Sequence, residues 1–359
     1  MQVSTSSPLP MTVGLDLGDR KSRYCLRDSA GILEEGTLAM SPGAMRRGLR
    51  RLVSRGAQRV VLEVGNQSAW VSRLAVELGL EALVANPRRL RLITHDLRKS
   101  DQRDARVLAD IGQVRPELLS PVEHRGEQAQ VDLMVLRTRS SLVEGRTALV
   151  NEVRHRLKSL GARVPHCTPE AFPRRAGPLV PEALRDTLEG TLTLITRFTS
   201  EIRRLDEKIE ALSQESYPPT RLLRQVPGVG PITSLYFVLA LERPERIDKT
   251  RNVAAYLGLV PRRRQSGKRD PQLCITKAGD STLRSLLVNC AHYILGPFGQ
   301  DSDLRRHGLR IAASGAASAK KRAVVAVARK LSVLLLSLWR SGEVYEPLRN
   351  TKRLQARTG

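Results

Sequence analysis

Four carboxylates in the first third of this 359-residue chain have the types and positions needed to bind a metal ion. Asp16 and Glu63 each lie at the end of a short apolar run that reads as a buried β-strand. Asp101 and Asp104 stand three residues apart where a helix begins, which places their Cβ atoms roughly 5–6 Å apart on one face. Converging carboxylates need a compensating cation, and hard divalent ions such as Mg²⁺ take oxygen ligands. The four side chains therefore predict a Mg²⁺ site.

Each carboxylate also has a structural explanation when it is taken alone. Asp16 could belong to a turn after its strand, Asp101 could favour the dipole of its helix, and Asp104 could pair with nearby arginines. The order is more specific, because a strand Asp, a later strand Glu and a helical Asp-x-x-Asp resemble the RuvC type of ribonuclease-H-like domain. In such sites, paired metals roughly 3.5–4 Å apart stabilise the attacking and leaving oxygens of a phosphodiester.

Ser266 is the second candidate for chemistry. A serine hydroxyl is a poor nucleophile unless a base, a metal or local electrostatics activates it. Five basic residues around it could neutralise a scissile phosphate: Arg262, Arg263, Arg264, Lys268 and Arg269. A serine in an arginine-rich loop is more often a simple backbone contact, so composition alone leaves both interpretations open.

The charge of the chain indicates a polyanionic partner. Sixty Lys and Arg residues against 36 Asp and Glu residues give a formal net charge of +24, and nucleic acid is the commonest partner of such a protein. The basic residues are spread along the whole chain, which argues against a membrane-binding amphipathic helix. With 3% aromatic residues, contacts to the phosphate backbone should dominate over base stacking. The expected nucleic-acid contacts are Arg88, Arg89, Arg98, Lys99, Gly228, Gly230, Arg262, Arg263, Arg264, Lys268, Arg269 and Lys277.

Several classes of protein are excluded or disfavoured. The four cysteines form no C-x-x-C pair, and the six histidines show no metal-ligand spacing, so neither a zinc site nor a disulfide framework is predicted. Neither G-x-x-x-x-G-K-[ST] nor G-x-G-x-x-G occurs, which disfavours P-loop NTPases and dinucleotide enzymes. No signal peptide or membrane span stands out, and we expect a cytoplasmic, nucleoid-associated protein.

The pattern of the chain predicts five segments. Residues 1–10 form a flexible N-terminus, 11–120 an α/β domain with mixed strand directions, 121–220 a helical middle, 221–345 a mainly helical C-terminal domain carrying Ser266, and 346–359 a basic tail. Heptad spacing in the middle segment favours an antiparallel coiled-coil hairpin or a dimer stalk, with an ordinary helical bundle as the alternative. The repeating positions are Leu136, Val143, Val150 and Leu157, then Leu188, Ile195, Ile202 and Ile209.

A glycine pair opens the C-terminal domain. Gly228 and Gly230 lie in the run Val-Pro-Gly-Val-Gly-Pro, which resembles the hairpin of a helix-hairpin-helix element. Glycines there let backbone N–H groups approach a phosphate next to a helix N-terminus. A plain loop between two helices is the alternative.

Taken together, these motifs resemble the DEDD-type insertion-sequence transposases, the family of bridge-RNA-guided recombinases. The resemblance covers nearly all of residues 11–342. It is carried by Gly14-Leu-Asp16, Leu62-Glu63, Lys99-Ser-Asp101-Gln-Arg-Asp104, the glycine run, Ala255-Tyr-Leu-Gly-Leu-Val-Pro, Gln265-Ser266-Gly and Ile275-Thr-Lys-Ala-Gly-Asp. Ser100 stands where the family motif frequently has Thr.

The resemblance implies a mechanism that spacing alone does not. Asp16, Glu63, Asp101 and Asp104 would bind two Mg²⁺ ions per site in a RuvC-like domain. Ser266 would be the nucleophile and would form a covalent phosphoserine link to a cut DNA strand. A guide (bridge) RNA would pair with double-stranded donor and target DNA, in a dimer that assembles to a tetramer with composite active sites. The phosphoserine bond would conserve the energy of the broken diester.

Two other functions remain open at this stage. A metal-only junction nuclease of the RuvC type would use the carboxylates to hydrolyse DNA, with Ser266 as a bystander. An actin-like ATPase or sugar kinase also has an Asp-x-Gly after a strand. That class needs a second glycine-rich phosphate loop, which the sequence lacks, and the charge of +24 argues against it.

Overall fold

The computed structural model describes residues 9–87, 100–267, 269, 271 and 273–351. The chain divides into two compact units, one ending at Arg125 and the other beginning at Gly126. We refer to them as the N-terminal unit and the C-terminal unit. Five of the predicted nucleic-acid contacts lie outside the described residues: Arg88, Arg89, Arg98, Lys99 and Lys268. The outermost parts of the predicted terminal segments also lie outside them.

A mixed five-stranded sheet forms the centre of the N-terminal unit. Its strands are β1 (Thr12–Asp16), β2 (Lys21–Asp28), β3 (Gly31–Ala39), β4 (Arg59–Glu63) and β5 (Glu81–Ala85). The order across the sheet is β3-β2-β1-β4-β5. The first three strands form an antiparallel meander, whereas β4 pairs parallel to β1 and β5 pairs parallel to β4. This sheet confirms the predicted mixed α/β domain, and its strand order is that of a ribonuclease-H-like fold.

Helices cover both faces of the sheet, so its central strands are apolar on both sides. The helices are α1 (Pro42–Ser54), α2 (Ser68–Glu77) and α3 (Asp101–Val114). Leu15 and Leu62 are fully buried in the core that α1 and α2 complete. Val61 points to the opposite face, where it packs with Leu108 of α3. The alternation along each strand therefore assigns α3 to the face opposite α1 and α2.

Helix α3 lies directly on the backbone of β1. A Cβ atom added to Gly14 would overlap the carbonyl oxygen of Ala105 and lie 2.5 Å from the amide nitrogen of Ala109. Both obstacles are backbone atoms of a helix, which cannot rotate away as a side chain can. The missing side chain of Gly14 therefore sets how closely the helix approaches the sheet.

We expect Gly14→Ala to destabilise the N-terminal unit by about 1–3 kcal/mol, because the added methyl overpacks a rigid contact. Gly65→Ala is the matched control, since nothing lies within 4 Å of its added Cβ and its φ is not in the left-handed region. Urea unfolding, combined with hydrogen exchange of the β1 and α3 amides, measures both variants. Equal losses in the two variants would contradict the close packing.

The C-terminal unit is mainly helical in its described residues. Its helices are α4 (Glu127–Ser159), α5 (Phe172–Ala176), α6 (Arg185–Glu215), α7 (Pro219–Leu223), α8 (Pro231–Leu241), α9 (Val253–Tyr256), α10 (Ser281–Leu295), α11 (Asp303–Ala312) and α12 (Ala319–Ser341). Helix α8 is buried on all sides from Thr233 to Leu241, as expected for a helix at the centre of a core. No helix among the described residues is both long and apolar enough to cross a bilayer.

The two long helices α4 and α6 run antiparallel. Arg139 pairs with Asp206 at 2.7 Å, whereas Arg146, further along α4, donates to Thr199, which lies earlier in α6. Most predicted heptad positions are buried: Leu136, Val150, Leu157, Leu188, Ile195, Ile202 and Ile209. The antiparallel pair agrees with the sequence pattern, while supercoiling of the two helices stays a prediction.

Candidate active site

Asp16 and Glu63 are neighbours at one edge of the sheet. Each is the last residue of its strand, β1 and β4 respectively. These strands are parallel, and the last registered pair is Leu15 with Leu62. The next residues along are Asp16 and Glu63, on neighbouring strands about 4.7–4.9 Å apart and on the same face. That face carries Gly14 and Val61, so it is the face covered by α3.

Helix α3 runs antiparallel to β1 and β4. Its C-terminal half lies near the start of these strands, because Arg59 at the start of β4 donates to the Gly112 carbonyl at 2.6 Å. Arg27, which lies opposite Thr12 in the sheet, pairs with Asp110. The N-terminus of α3 therefore points toward the carboxyl ends of β1 and β4.

The start of α3 reaches the same edge of the sheet as Asp16. Ala105 packs on Gly14, and Asp101 lies four residues before Ala105, about 6 Å along the helix axis. Asp16 lies two residues after Gly14, about 6.6 Å along the strand in the same direction. Asp101 therefore lies level with Asp16. The topology gathers carboxylates from three elements at one edge.

The first turn of α3 is well suited to acidic residues. Ser100 caps the helix, since its Oγ accepts a hydrogen bond from the amide of Arg103 at 3.3 Å. Asp101 and Asp104 occupy the first turn, where the helix dipole favours negative charge. A threonine at position 100 could cap in the same way, so the departure from the family motif leaves this geometry unaffected.

The candidate ligands differ from the other acidic residues nearby in their partners. Glu35 on β3 accepts two hydrogen bonds from Arg106, each 2.6 Å long, and these hold its pKa below the usual range. By contrast, Glu63, Asp101 and Asp104 make no ion pair or side-chain hydrogen bond in the part of the chain that the structure describes. Although the chain carries a charge of +24, these three carboxylates have no cation partner among the described residues and are available to a metal ion.

The donor set fits Mg²⁺ in its chemistry. All four side chains offer hard carboxylate oxygens, and Asp16, Glu63 and Asp104 are only partly exposed. Within the described ranges, however, no three Asp, Glu, His or Cys side chains are close enough to hold one ion as they stand. The backbone brings the carboxylates to one edge, and closure of their side chains around an ion belongs to the proposal below.

Ser266 lies at the tip of a β-hairpin that we call the serine arm (residues 258–277, of which 268, 270 and 272 are not described). Near the base, the amide of Thr276 donates to the Val260 carbonyl at 2.9 Å. At the tip, Ser266 and Arg269 exchange backbone hydrogen bonds of 3.1 and 3.0 Å. Gly267, with φ of 56°, makes the tight turn between them. The arm therefore presents the exposed Ser266 on a defined turn.

The cations predicted to accompany Ser266 lie on the same arm. Arg262, Arg263, Arg264 and Arg269 are exposed along it, while Lys277, with φ of 54°, lies at its base. Guanidinium groups bind phosphate oxygens through charge-assisted, often bidentate hydrogen bonds. The serine arm thus combines a hydroxyl with the type of group that binds a phosphodiester.

The base of the arm is held by residues that the sequence did not single out for this role. Arg284 of α10 donates from Nη1 to the carbonyls of Leu257 at 3.0 Å and Ala278 at 2.8 Å. Gly258 and Gly279, both with positive φ, let the two strands of the base meet backbone to backbone. In the sequence, the base of the arm is marked by the two glycines that flank it. Spacing alone does not show which residues these glycines contact.

We expect Arg284→Ala to loosen the serine arm, because it removes two charge-assisted bonds of a partly buried guanidinium, worth about 1.5–3 kcal/mol each. Limited trypsin digestion should cut the arm faster in this variant than in wild type. Arg251→Ala is the control, since Arg251 is exposed and makes no side-chain bond among the described residues. Identical digestion of both variants would show that Arg284 does not anchor the arm.

The glycine pair forms the turn between α7 and α8. Gly228 has φ of 90°, and a Cβ there would lie 2.8 Å from the Tyr293 ring, so glycine is required. Gly230 is the N-cap residue of α8, and nothing lies within 4 Å of its added Cβ. This open space suits the predicted approach of a phosphate to the first amides of α8, while the helix-hairpin-helix geometry stays a prediction.

Comparison with known proteins identifies relatives for both units. Residues 13–161, which include the four carboxylates, match a family model described as Transposase, the DEDD model of the IS110 group. Residues 220–302, which include Ser266, match the model described as Transposase IS116/IS110/IS902 family.

Two curated proteins illustrate the similarity. The transposase for insertion sequence element IS1111A of Coxiella burnetii is 26% identical over 293 residues, covering 80% of this chain and 79% of that protein. A probable family 20 transposase of Pseudomonas aeruginosa is 31% identical over 266 residues, covering 69% of this chain and 74% of that protein. Among solved structures, Thermus thermophilus RuvC aligns with a TM-score of 0.21 and 15% identity over 28% of this chain and 90% of its own.

Proposed function

The chain belongs to the DEDD-type IS110 family of insertion-sequence transposases, and from this premise we propose that it exchanges DNA strands with a Mg²⁺-binding carboxylate tetrad and a serine nucleophile. The proposal rests on one observation: Asp16, Glu63 and the first turn of α3 lie at the same edge of the sheet. Three of these carboxylates have no cation partner among the described residues.

The carboxylate tetrad has a binding role in this proposal. The family implies divalent metal ions, and we place two Mg²⁺ ions between Asp16, Glu63, Asp101 and Asp104. When bound, paired ions stabilise charge on the attacking and leaving oxygens of a phosphodiester. The rigid contact of Gly14 with α3 fixes the spacing between the strand ligands and the helix ligands.

Ser266 carries the covalent step. Its Oγ bonds to the scissile phosphorus, and the bond from that phosphorus to one deoxyribose oxygen breaks. The hydroxyl proton of Ser266 is balanced by the proton that the departing sugar oxygen gains. Rejoining is the reverse step, in which a deoxyribose hydroxyl of the incoming strand attacks the phosphoserine and releases Ser266. The arginines of the serine arm neutralise the phosphate during both steps.

In this proposal, a guide RNA selects the DNA site. The RNA pairs with double-stranded donor and target DNA, while the protein binds backbones in a dimer that assembles to a tetramer. The net charge of +24 and the aromatic content of 3% support recognition through phosphates. We also propose that the protein acts in the cytoplasm at the nucleoid, where its substrates lie.

A strand-exchange assay tests the proposed function. Purified protein, the RNA that co-purifies with it, and plasmids carrying the element ends and a target are incubated with Mg²⁺ or with EDTA. We expect joined strands and a protein–DNA adduct that resists SDS, both only with Mg²⁺. Hydrolysed ends without an adduct would instead indicate the metal-only junction nuclease. Co-purified RNA without similarity to the DNA flanking the gene would contradict RNA guidance.

A further inference from the structure

One stretch of the C-terminal unit has no acidic residue. From Leu304 to Gly342 the sequence contains nine Lys or Arg residues and neither Asp nor Glu. All 36 acidic residues of the chain lie outside this segment, so basic residues elsewhere commonly have an acidic residue nearby in sequence. This segment comprises most of α11, all of α12 and the loop that joins them. None of its residues belongs to the sites described above.

Some basic residues of this segment serve the fold. Arg305 donates to the carbonyls of Ile294 at 2.6 Å and Gly296 at 2.7 Å. Arg340 donates to the Pro244 carbonyl at 2.8 Å. These two side chains satisfy carbonyls at the ends of neighbouring segments, and Arg306 pairs with Asp301 at 2.6 Å, so all three already have structural partners.

Six other cations of the segment are exposed to solvent. None of them makes an ion pair or a side-chain hydrogen bond within the described residues. We call this set the basic face; its members are Arg310, Lys320, Lys321, Arg322, Arg329 and Lys330. Unpaired like charges on neighbouring turns repel one another, and a bound anion relieves that repulsion.

The basic face stands on a rigid support. A Cβ on Gly308 of α11 would lie 2.5 Å from the Cγ2 atom of Val327, so α11 and α12 pack closely. The inner side of α12 is fully buried at Leu331 and Leu335. Arg322 and Arg329 are seven residues apart, which is close to two turns, so they share the outer side about 10.5 Å apart along the axis.

Cations from both helices raise the electrostatic potential at His307. His307 of α11 is partly buried, and its pKa is lowered first by that burial and then by the charges of Lys330 and Arg310. No acidic residue is among the groups that shift it. The field around His307 is therefore positive from both helices.

We propose that the basic face binds the sugar–phosphate backbone of duplex DNA. Duplex DNA carries one negative charge per about 1.7 Å of its axis, and neutralising cations gain affinity by releasing condensed counterions. A single-stranded partner would favour aromatic side chains for stacking, but the segment has only Trp339, which packs against the Phe237 ring at 6.4 Å. The choice of DNA rests on the proposed function, whereas the location of the surface does not.

The test compares two double variants with equal charge loss. Arg322→Ala with Arg329→Ala removes two members of the basic face. Arg156→Ala with Arg204→Ala is the matched control, since these arginines are similarly exposed but pair with Glu152 and Glu201 on their own helices. Fluorescence anisotropy gives Kd for a mixed-sequence duplex DNA and for an RNA duplex of equal length, over a KCl titration. Thermal unfolding verifies that both variants are folded.

We expect the basic-face variant to raise Kd for duplex DNA about tenfold and to lower the slope of log Kd against log salt by about two. The control should keep the wild-type slope. Equal affinities and slopes in the two variants would overturn the proposal, as would a loss confined to the RNA duplex. Wild-type protein that binds DNA through this face but never exchanges strands would contradict the proposed function alone.

Discussion

Ser266→Ala is expected to abolish the covalent protein–DNA adduct and strand exchange, by about 10³-fold or more, while DNA binding persists. The side chain is exposed at the tip of the serine arm, and the Ser266–Arg269 pair is held by backbone groups that alanine retains. The fold should therefore be unaffected. The measurement is SDS-resistant adduct formation on labelled DNA, scored together with joined products.

Ser200→Ala is the control for this prediction. Ser200 is exposed on α6, and its hydroxyl bonds only to the Arg197 carbonyl of its own helix among the described residues. Its loss should leave adduct formation unchanged. Joined strands at the wild-type rate from Ser266→Ala would remove the serine from the mechanism. Retained hydrolysis without joining would favour the metal-only nuclease.

Asp104→Asn is expected to lower strand cleavage by at least about 10²–10³-fold, because losing a metal ligand removes several kcal/mol of transition-state stabilisation. Asparagine has nearly the same shape, and Asp104 has no ion pair in the described part of the chain, so no cation is left unpaired. The lost interaction with the helix dipole costs only about 0.3–1 kcal/mol. Folding and nucleic-acid binding should therefore persist.

Two measurements make this prediction specific. Strand cleavage is assayed with Mg²⁺, and the rise in melting temperature on adding Mg²⁺ is compared between variant and wild type. Both effects should shrink in Asp104→Asn. Glu117→Gln is the control, because Glu117 forms an exposed surface pair with Arg115 at 3.2 Å. Wild-type cleavage with an unchanged Mg²⁺ effect in Asp104→Asn would refute the metal role.

The strands and the acidic residues at their ends could be predicted because both signals are local. Each apolar run ends at its carboxylate, and β1 and β4 end at Asp16 and Glu63 in the structure. The direction of α3 could not be predicted, because it depends on contacts between residues some 90 positions apart. The small side chains of Ala105 and Ala109 opposite Gly14 become meaningful only after the helix is placed.

The serine arm shows the same limit. The sequence indicated a basic loop around Ser266, but the hairpin depends on backbone pairing, to which the side chains give little clue. Likewise, the heptad pattern predicted apolar seams and gave no sign that Arg146 would be buried between α4 and α6. Its Nη1 donates to Thr199 at 3.1 Å and to Glu170 at 2.8 Å, a residue outside both long helices, whereas its buried Nε has no partner among the described residues.

Because the serine arm is long, a small tilt at its base displaces its tip by a large distance. Ser266 lies eight positions after Gly258, so the hydroxyl can stand at most about 26 Å from the base of the arm. Tilting the hairpin by about 5° would then sweep the tip through roughly 2 Å, more than half the length of a hydrogen bond. A small change at the base of the arm would thus move the Ser266 hydroxyl by this distance without any change in the helical core.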